Sequence, residues 1–194
     1  MSFAKIYTRG LLGLHAPLIE VEVHVSQGLP SLTIVGLAEA AVRESKDRVR
    51  SAIINSGFQF PTKRLTINLA PADLPKDGSR LDLPIALGIL MASGQIPEHA
   101  TDQLEFIGEL ALDGQLRPIT GILSIAIACQ QSGHQLILPE QNAPEASQLP
   151  QFEVFAAQHL KDVCEHLSKQ QPIAQYQPQT TTTVDQYKFD LADV

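Results

Sequence analysis

Alternating apolar and polar residues predict four strands in the first third of the chain. From Leu18 to Val25, isoleucine and valine alternate with glutamate and histidine, which is typical of a strand with one side in water. Phe3–Thr8 and Ser31–Val35 are predicted as strands as well. The turn sequence at 27–30 leads us to expect a hairpin between the second and third strands. Arg64–Leu69 alternates in the same way and predicts a fourth strand.

Helical periodicity marks the segments between and after these strands. A helix is predicted from about Ala38 to Ser56, with its apolar residues in one stripe and Gly57 after its end. The stretch 83–93 is apolar on nearly every face, so we expect a second helix that is largely buried. A strand over Leu104–Leu112 should form a hairpin with residues 115–117 around an Asp-Gly turn.

The remaining elements complete a mixed architecture. We expect an apolar helix that runs through Ala128 and ends near Ser132, and then, in order, a strand at 134–138, a loop or short helical turn at 140–148, a strand at 152–156 and a helix at 159–167. Hairpins beside strand–helix–strand units predict an α+β fold, a mixed sheet packed by helices. From Gln170 the composition changes to Gln, Thr and Pro. We therefore predict a domain over residues 1–169 and a flexible linker over 170–194.

The segment from Pro71 to Leu90 organises the chain, because a polar loop becomes an apolar helix there without a break. Lys76-Asp77-Gly78 is predicted as a turn, and Ser79 followed by Asp82 fits a helix start, with Asp82 as the alternative cap. The loop places these charges and Arg80 at a helix N-terminus, where an anion, a nucleophile or a partner's acidic group can be held. The alternative is a well-capped connection with no binding role.

Composition narrows the classes of function. The 194 residues are 44% hydrophobic, enough for one globular domain with a core. The net charge of −7 disfavours unaided, non-specific binding to nucleic acid or to an anionic membrane, although it leaves room for a local basic patch. Cys129 and Cys164 fall in apolar helical patterns and are expected to be free, buried thiols. With no signal sequence and no apolar run that could span a bilayer, we expect a cytoplasmic protein that does not contact membranes.

Motifs of known chemistry are few. The chain has no Gly-x-x-x-x-Gly-Lys loop, Gly-x-Gly-x-x-Gly fingerprint or Gly-x-Ser-x-Gly elbow, so we predict no nucleotide site, and its six histidines lack metal-ligand spacing. Arg43, Lys46 and Arg50 form a ridge at i, i+3 and i+7, which is either a solvated face with helix ion pairs or an edge that contacts phosphate or another subunit. Lys76 is expected to be exposed, and its spacing from Ser79 across a glycine turn is poor geometry for a nucleophile pair.

Two motifs are specific enough to indicate a family. PADLPKDGSRLDLPIA begins at Pro71, and FIGELALDGQLRPITG begins at Phe106. With segments 5–14, 18–25 and 36–45, they resemble the N-terminal domain of magnesium chelatase-like AAA+ proteins over about residues 1–169. The resemblance implies an AAA+ ATPase module beyond residue 194, with ATP and Mg²⁺ as its cofactors and none in this fragment. It also implies a hexameric ring of neighbouring subunits.

The pattern is also similar to the proteolytic domain of Lon, which implies the ribosomal protein S5 domain 2-like fold. Lon's serine lies in a Pro-Lys-Asp-Gly-Pro-Ser-Ala-Gly motif. When the two sequences are matched without a gap, Arg80 stands at the serine position and Ser79 one place early. The same match puts Leu123 at the position of Lon's lysine. Because both members of the dyad are replaced, the resemblance implies a domain that is not an enzyme.

The family includes a DNA branch-migration helicase that acts in natural transformation. The resemblance therefore implies a domain that helps assemble the AAA+ ring, contacts single-stranded or branched DNA, or does both. The residues expected to contact DNA or a neighbouring subunit are Arg43, Lys46, Arg50, Lys76 and Arg80. Two alternatives stay open: a Lon-type serine peptidase that uses Ser79, and a module that docks a protein partner through the loop 71–80.

Overall fold

A seven-stranded mixed sheet forms the centre of the computed structural model, which describes residues 3–76, 78–97, 101 and 103–177, apart from the side chains of 41 and 43. The strands, in the order in which they lie side by side, are β3 (Ser31–Val35), β4 (Arg64–Ala70), β2 (Leu18–Ser26), β1 (Phe3–Arg9), β5 (Leu104–Phe106), β8 (Gln135–Pro139) and β9 (Val154–Ala157). A separate hairpin joins β6 (Glu109–Leu110) to β7 (Leu116–Arg117). The predicted mixed sheet packed by helices is confirmed.

Strand β4 lies between β2 and β3, so the predicted hairpin of β2 with β3 is wrong. β4 runs antiparallel to β2, with Ile67 opposite Val23, and parallel to β3, with Leu65 opposite Leu32. Parallel neighbours need a crossover connection, and helix α1 (Ala40–Asn55) supplies it between β3 and β4. The alternating pattern identifies the buried face of each strand, but it does not identify the neighbour.

Two apolar clusters cover the two faces of the sheet. In β8, Ile137 belongs to the larger cluster, whereas Leu136 and Leu138 belong to the smaller one. These assignments follow the alternation of side chains along a strand. The larger cluster also includes residues of three helices, α1, α2 (Asp82–Ala92) and α5 (Leu160–Leu167). The smaller cluster includes residues of two helices, α3 (Ile122–Gln131) and α4 (Ala143–Ala146).

Helix α2 lies in the larger cluster, and every one of its residues is buried, as the apolar pattern predicts. Gly88 lets the helix approach the sheet closely, since a Cβ at this position would lie 2.6 Å from Cγ2 of Val23. Gly36, at the start of the crossover to α1, has φ of +97°, and a Cβ there would lie 2.1 Å from the carbonyl oxygen of Leu69. Only glycine fits this second position without a backbone shift.

The predicted strand over 104–112 is divided in two. After β5, Gly108 exchanges backbone hydrogen bonds with the start of α2: its N–H donates to Arg80 over 3.0 Å, and its carbonyl accepts from Leu83 over 3.1 Å. These bonds take the chain out of the main sheet and into the β6–β7 hairpin. β5 pairs with β1 at a single register position, Tyr7 opposite Glu105, and with β8 on its other side. It therefore joins β3, β4, β2 and β1, where two of the three pairings are antiparallel, to the parallel pair β8 and β9.

The chain after α5 runs beside the edge strand β9. The N–H of Tyr176 donates to the carbonyl of Val154 over 2.8 Å, and Gln175 forms a bridge with Phe155. The domain boundary at 169 and the linker over 170–194 stay predictions, and residues 178–194 lie outside the described part. Within the described ranges, no helix is long and apolar enough to cross a membrane.

Candidate functional site

Lys76 lies inside the protein, so the expectation that it is exposed is wrong. Its side chain is 1% exposed, and its Nζ donates to the carbonyl oxygen of Pro71, because the loop folds back on itself. The carbonyl of Lys76 accepts from the N–H of Glu39 over 3.1 Å, which ties the loop to the start of α1. Burial lowers the pKa of Lys76, and the charge of Asp73 partly opposes that shift.

Arg80 is buried as well, at 9% exposure. Its Nε and Nη1 atoms have no hydrogen-bond partner among the described residues. The guanidinium lies over Gly78, since a Cβ built on that glycine would be 3.7 Å from Nε and 3.8 Å from Nη2. Lys76 and Arg80 therefore do not belong to an exposed phosphate-contacting surface in this conformation. Their role as contact residues stays a prediction.

Ser79 begins a short 3₁₀ helix (Ser79–Leu81) that continues into α2. Its Oγ donates to a carboxylate oxygen of Glu109, and the other oxygen of that carboxylate accepts from Arg117 over 3.4 Å. Lys76 donates elsewhere, to Pro71. The described contacts therefore give Ser79 neither a lysine nor a histidine as a base.

The carboxylate of Asp82 is fully buried and binds Arg48 of α1 through both oxygens. Nε donates to Oδ2 over 2.9 Å and Nη2 to Oδ1 over 3.2 Å, while the N–H of Leu110 donates to Oδ2 over 3.3 Å. Burial raises the pKa of Asp82 to about 6, and the bonds from Arg48 partly oppose that shift. Asp82 therefore ties α2 to α1 and to β6, and it does not cap its own helix, which was the alternative that the sequence allowed.

Arg48 is absent from the residues that the sequence singles out, although a signal for it was present. Asp82 stands at the head of a stretch predicted to be buried, and a buried carboxylate needs a cationic partner. The sequence offers Arg43, Arg48 and Arg50 on the same helix as possible partners. Which one faces α2 depends on how the two helices pack, and that cannot be read from spacing.

Basic residues on α1 and in the segment that leads into β4 approach one another near Phe60, which Arg50 contacts and which lines a cleft together with Lys63. The Cζ atom of Arg50 lies 4.8 Å from the ring centroid of Phe60. Lys63 and Arg64 follow closely in the chain and are exposed, and Lys46 lies partly buried one helical turn before Arg50. Four residues define this surface, which we call the basic corner: Lys46, Arg50, Lys63 and Arg64.

Charge is unevenly distributed along the chain. Residues 43–80 hold 8 of the 14 lysines and arginines but only 4 of the 21 aspartates and glutamates. A cleft of about 540 Å³ beside the basic corner is lined by Phe60, Lys63 and Gln95, among others. The segment 43–80, which contains the basic corner together with the buried Lys76 and Arg80, is therefore the positive segment of an acidic chain. The side chain of Arg43, also predicted to make contacts, lies outside the described part.

Comparison with known proteins identifies the family. Residues 21–142 match the family described as subunit ChlI of Mg-chelatase. This chain belongs to the ChlI family. Competence protein ComM of Haemophilus influenzae is 50% identical over 173 residues, which are 89% of this chain and 34% of the relative. The YifB protein of Escherichia coli is 46% identical over 194 residues, which are 100% of this chain and 38% of the relative. This ChlI-family chain thus spans between a third and two fifths of the length of these relatives.

Lon is a more distant relative of the ChlI-family chain. A Lon protease of Chloroflexus aurantiacus is 31% identical over 142 residues, which are 69% of this chain and 17% of the relative. At the two positions matched to Lon's dyad, this chain has the buried Arg80 and Leu123, an exposed residue of α3. Neither side chain can act as the serine or the lysine of that dyad.

A second buried ionic network of the ChlI-family chain lies where β1 meets β5. Nε and Nη2 of Arg9 donate to the two carboxylate oxygens of Glu105 over 2.7 and 2.6 Å. Arg9 also donates to Ser132 and to the carbonyl of Ala16, and Nδ1 of His134 lies 2.9 Å from Glu105. Sequence reasoning missed this network, although a glutamate between Leu104 and Phe106 in a strand was a signal for a buried carboxylate.

A surface cleft of about 590 Å³ lies at the start of α5 and offers few unpaired groups. Glu140 accepts from Gln158 over 2.7 Å, and Asp162 accepts from the N–H of His159 over 2.9 Å. Nε2 of His159 lies 2.9 Å from the carbonyl oxygen of Asp113. These side chains stabilise the helix start and the β6–β7 turn, so they do not favour a ligand.

Cys129 and Cys164 are free and buried, as predicted. Burial raises the pKa of both thiols, that of Cys164 to about 12, so neither is a reactive thiolate at neutral pH. In the part of the chain that the structure describes, no three His, Cys, Asp or Glu residues form a group that could hold a metal ion.

Proposed function

We propose that this chain is the non-catalytic N-terminal domain of an AAA+ ATPase that acts on DNA, with a role like that of the ComM relative. The family match and the 50% identity to a protein named for competence support this proposal. Following the family resemblance, the whole protein is a hexameric, cytoplasmic branch-migration helicase. ATP and Mg²⁺ bind to its AAA+ module and not to this domain.

We further propose that the domain has the ribosomal protein S5 domain 2-like fold of the Lon proteolytic domain. The 31% identity to a Lon protease and the mixed sheet support this assignment. The replacement of the dyad positions by Arg80 and Leu123, and the contact of Ser79 with a carboxylate, support a domain without peptidase activity. A serine-directed covalent probe that labels wild type but not Ser79→Ala would contradict this part of the proposal.

The DNA contact is assigned to the basic corner, and its exposure is the observation that carries the assignment. Arg50, Lys63 and Arg64 are exposed to solvent, whereas Lys76 and Arg80 are buried. Phosphate contacts need cations that reach the surface, because backbone phosphates bind from solvent. Of the predicted contact residues whose side chains the structure describes, Arg50 is therefore the one that its exposure favours most, with the partly exposed Lys46 one helical turn before it.

Fluorescence anisotropy with a labelled single-stranded DNA, at low and at physiological salt, tests this assignment. Arg50→Gln and Lys63→Gln should each weaken binding regardless of DNA sequence and reduce the salt slope by about 0.7 to 1, because each removes one phosphate contact. Lys161→Gln is the matched control, since Lys161 lies on α5 and is 59% exposed. Binding that is indifferent to both corner substitutions would overturn the assignment.

An uncharged surface favours ring assembly as a second role. Leu123 and Ile127 of α3 are exposed one turn apart, and Leu14, in the loop joining β1 to β2, is 88% exposed. Leu11 of the same loop lies close to Gly121, at the start of α3. Exposed apolar groups of this kind are typical of protein interfaces. In the full-length protein, Leu123→Ser combined with Ile127→Ser should lower the hexamer fraction in sedimentation, and an unchanged fraction would contradict this role.

A further inference from the structure

We infer that the turn at residues 78–82 binds an oxyanion, a phosphate or carboxylate group, through the guanidinium of Arg80. Two of the three nitrogens of this buried side chain have no hydrogen-bond partner among the described residues. Buried polar groups are nearly always hydrogen-bonded. An arginine cannot lose its proton to avoid the cost of burial, because its pKa lies far above any physiological pH. An anion bound at this turn would satisfy these donors and offset the buried charge.

The carboxylates that contact this turn are already bound to other groups. Asp82 binds Arg48 through both of its oxygens. Glu109 accepts from Ser79 through one oxygen and from Arg117 through the other. Asp82 and Glu109 are therefore already hydrogen-bonded to groups other than Arg80.

A second buried cation lies four residues before Arg80. Lys76 is 1% exposed, and its Nζ contacts a backbone carbonyl, which carries no charge. Among the described residues, neither Lys76 nor Arg80 forms an ion pair with a carboxylate, although Asp73 lies near enough to Lys76 to affect it. An oxyanion would offset the charge that remains at this loop.

The backbone of the turn adds hydrogen-bond donors. The 3₁₀ helix at Ser79–Leu81 continues into α2, and a helix start leaves its first N–H groups without acceptors inside the helix. The Arg80 guanidinium lies over Gly78, directly before this helix start. An arginine beside the N-terminal end of a helix is an arrangement that binds phosphate and carboxylate groups.

This inference does not rest on the proposed DNA contact. The basic corner uses other side chains, and the oxyanion site can be tested with a small ion. Because Nε and Nη1 of Arg80 are shielded from solvent, binding requires a shift of Arg80 or of the loop before it. The amide resonances of the turn should report that shift directly.

The test is a titration of the ¹⁵N-labelled chain with inorganic phosphate and, separately, with acetate, at an ionic strength held constant by sodium chloride. At least one of the two ions should cause saturable shifts of the Gly78, Ser79 and Arg80 amides. A response to phosphate alone identifies a phosphoryl group as the natural ligand, and a response to acetate identifies a carboxylate. Arg80→Met should abolish the saturable shifts.

The control is Arg117→Met, because Arg117 is a nearby arginine that is 61% exposed and contacts Glu109. This variant should bind the ion as the wild type does. If Arg80→Met does not fold, Arg80→Lys replaces it and should bind more weakly, since lysine lacks the planar fork. The inference is overturned if neither ion shifts the turn, or if the Arg80 variant responds like wild type. Asp77→Asn provides a further test. If an ion shifts the turn in this variant but not in wild type, the neighbouring carboxylate of Asp77 is the partner of Arg80, and the inference is overturned.

Discussion

Arg9 and Arg80 are buried to nearly the same extent, at 6% and 9% exposure, but they differ in what surrounds them. Arg9 donates from all three of its nitrogens, to Glu105, to Ser132 and to the carbonyl of Ala16. Arg80 has no partner for two of its nitrogens within the described ranges. The same side chain, at the same depth, is fully hydrogen-bonded at one place and incompletely at the other.

Arg9 shows that this fold can supply hydrogen-bond acceptors for all three nitrogens of a buried guanidinium. Arg9 links β1 to β5 and to the end of α3, so its bonds hold elements of the structure together. Arg80 lies at a turn where the nearby carboxylates bind other groups. A buried charge that is not satisfied within the chain costs stability, and such costs are found mostly at functional sites. We therefore treat Arg9 as a structural residue and Arg80 as a binding residue.

The largest effect is expected for Arg9→Met, which leaves the buried carboxylate of Glu105 without its cation. Removing one partner of a buried pair typically lowers the free energy of unfolding by about 3–5 kcal/mol. Urea unfolding measures the change. Arg9→Met combined with Glu105→Leu should recover part of the loss, because apolar residues can replace a buried pair. If Arg9→Met alone lowers the free energy of unfolding by less than about 1 kcal/mol, the contrast with Arg80 is lost, because breaking a buried ion pair costs more than that.

The second largest effect is expected from Asp82, which should make the free energy of unfolding depend on pH. Its pKa is raised from 3.8 to about 6, so the folded state binds this proton more tightly than the unfolded state does. Its contribution to stability is therefore fully present below pH 4 and declines as pH rises through 6, by on the order of 3 kcal/mol in all. Urea unfolding of wild type and Asp82→Asn from pH 4 to 7 isolates this term. A difference between the two proteins that is flat, or that rises with pH, contradicts the prediction.

Arg80→Met should change stability in the opposite direction to Arg9→Met. The substitution removes a buried charge with unsatisfied donors and keeps a side chain of similar length, so we expect a gain of about 0–2 kcal/mol in the free energy of unfolding. Chemical denaturation in a buffer without phosphate or carboxylate ions is the measurement. A loss as large as that of Arg9→Met would show that Arg80 has a structural partner.

The smallest effect is expected for the exposed pair of Lys5 and Glu20, whose charged atoms lie 3.5 Å apart. Both side chains are more than one third exposed, so water and salt screen the attraction. Lys5→Met should therefore change the free energy of unfolding by about 0–1 kcal/mol, less at high salt. Thermal unfolding at two salt concentrations checks this value. A larger loss would mean that burial is not what distinguishes Arg9.

Local patterns predicted the elements better than their arrangement. The buried helix α2 could be predicted because eleven successive residues lack an exposed face. The pairing of β2 and β3 could not, because strand alternation is the same whichever strand lies alongside. The division of 104–112 depends on bonds between Gly108 and the start of α2, which no local pattern reveals.

The candidate site was predicted only in part, for a related reason. Loop 71–82 was identified because its turn residues precede an apolar helix, and that feature is local. The partners that give the loop its chemistry are remote: Arg48 lies 34 residues from Asp82, and Ser79 lies 30 residues from Glu109. Lys76 was expected to be exposed because lysine usually is, and its burial follows from the path of the whole loop.

The single register position between β1 and β5 has a consequence for how the molecule opens. Tyr7 opposite Glu105 is the backbone register that joins strands β3, β4, β2 and β1 to strands β5, β8 and β9, and the bond from Arg9 to Glu105 reinforces it. A junction this short favours two cooperative units that exchange their amide hydrogens at different rates. In native-state hydrogen exchange, the amides of β5, β8 and β9 should then exchange as one group and those of β2 and β4 as another. Arg9→Met should lower the free energy of opening of the first group towards that of surface loops. The second group should stay protected.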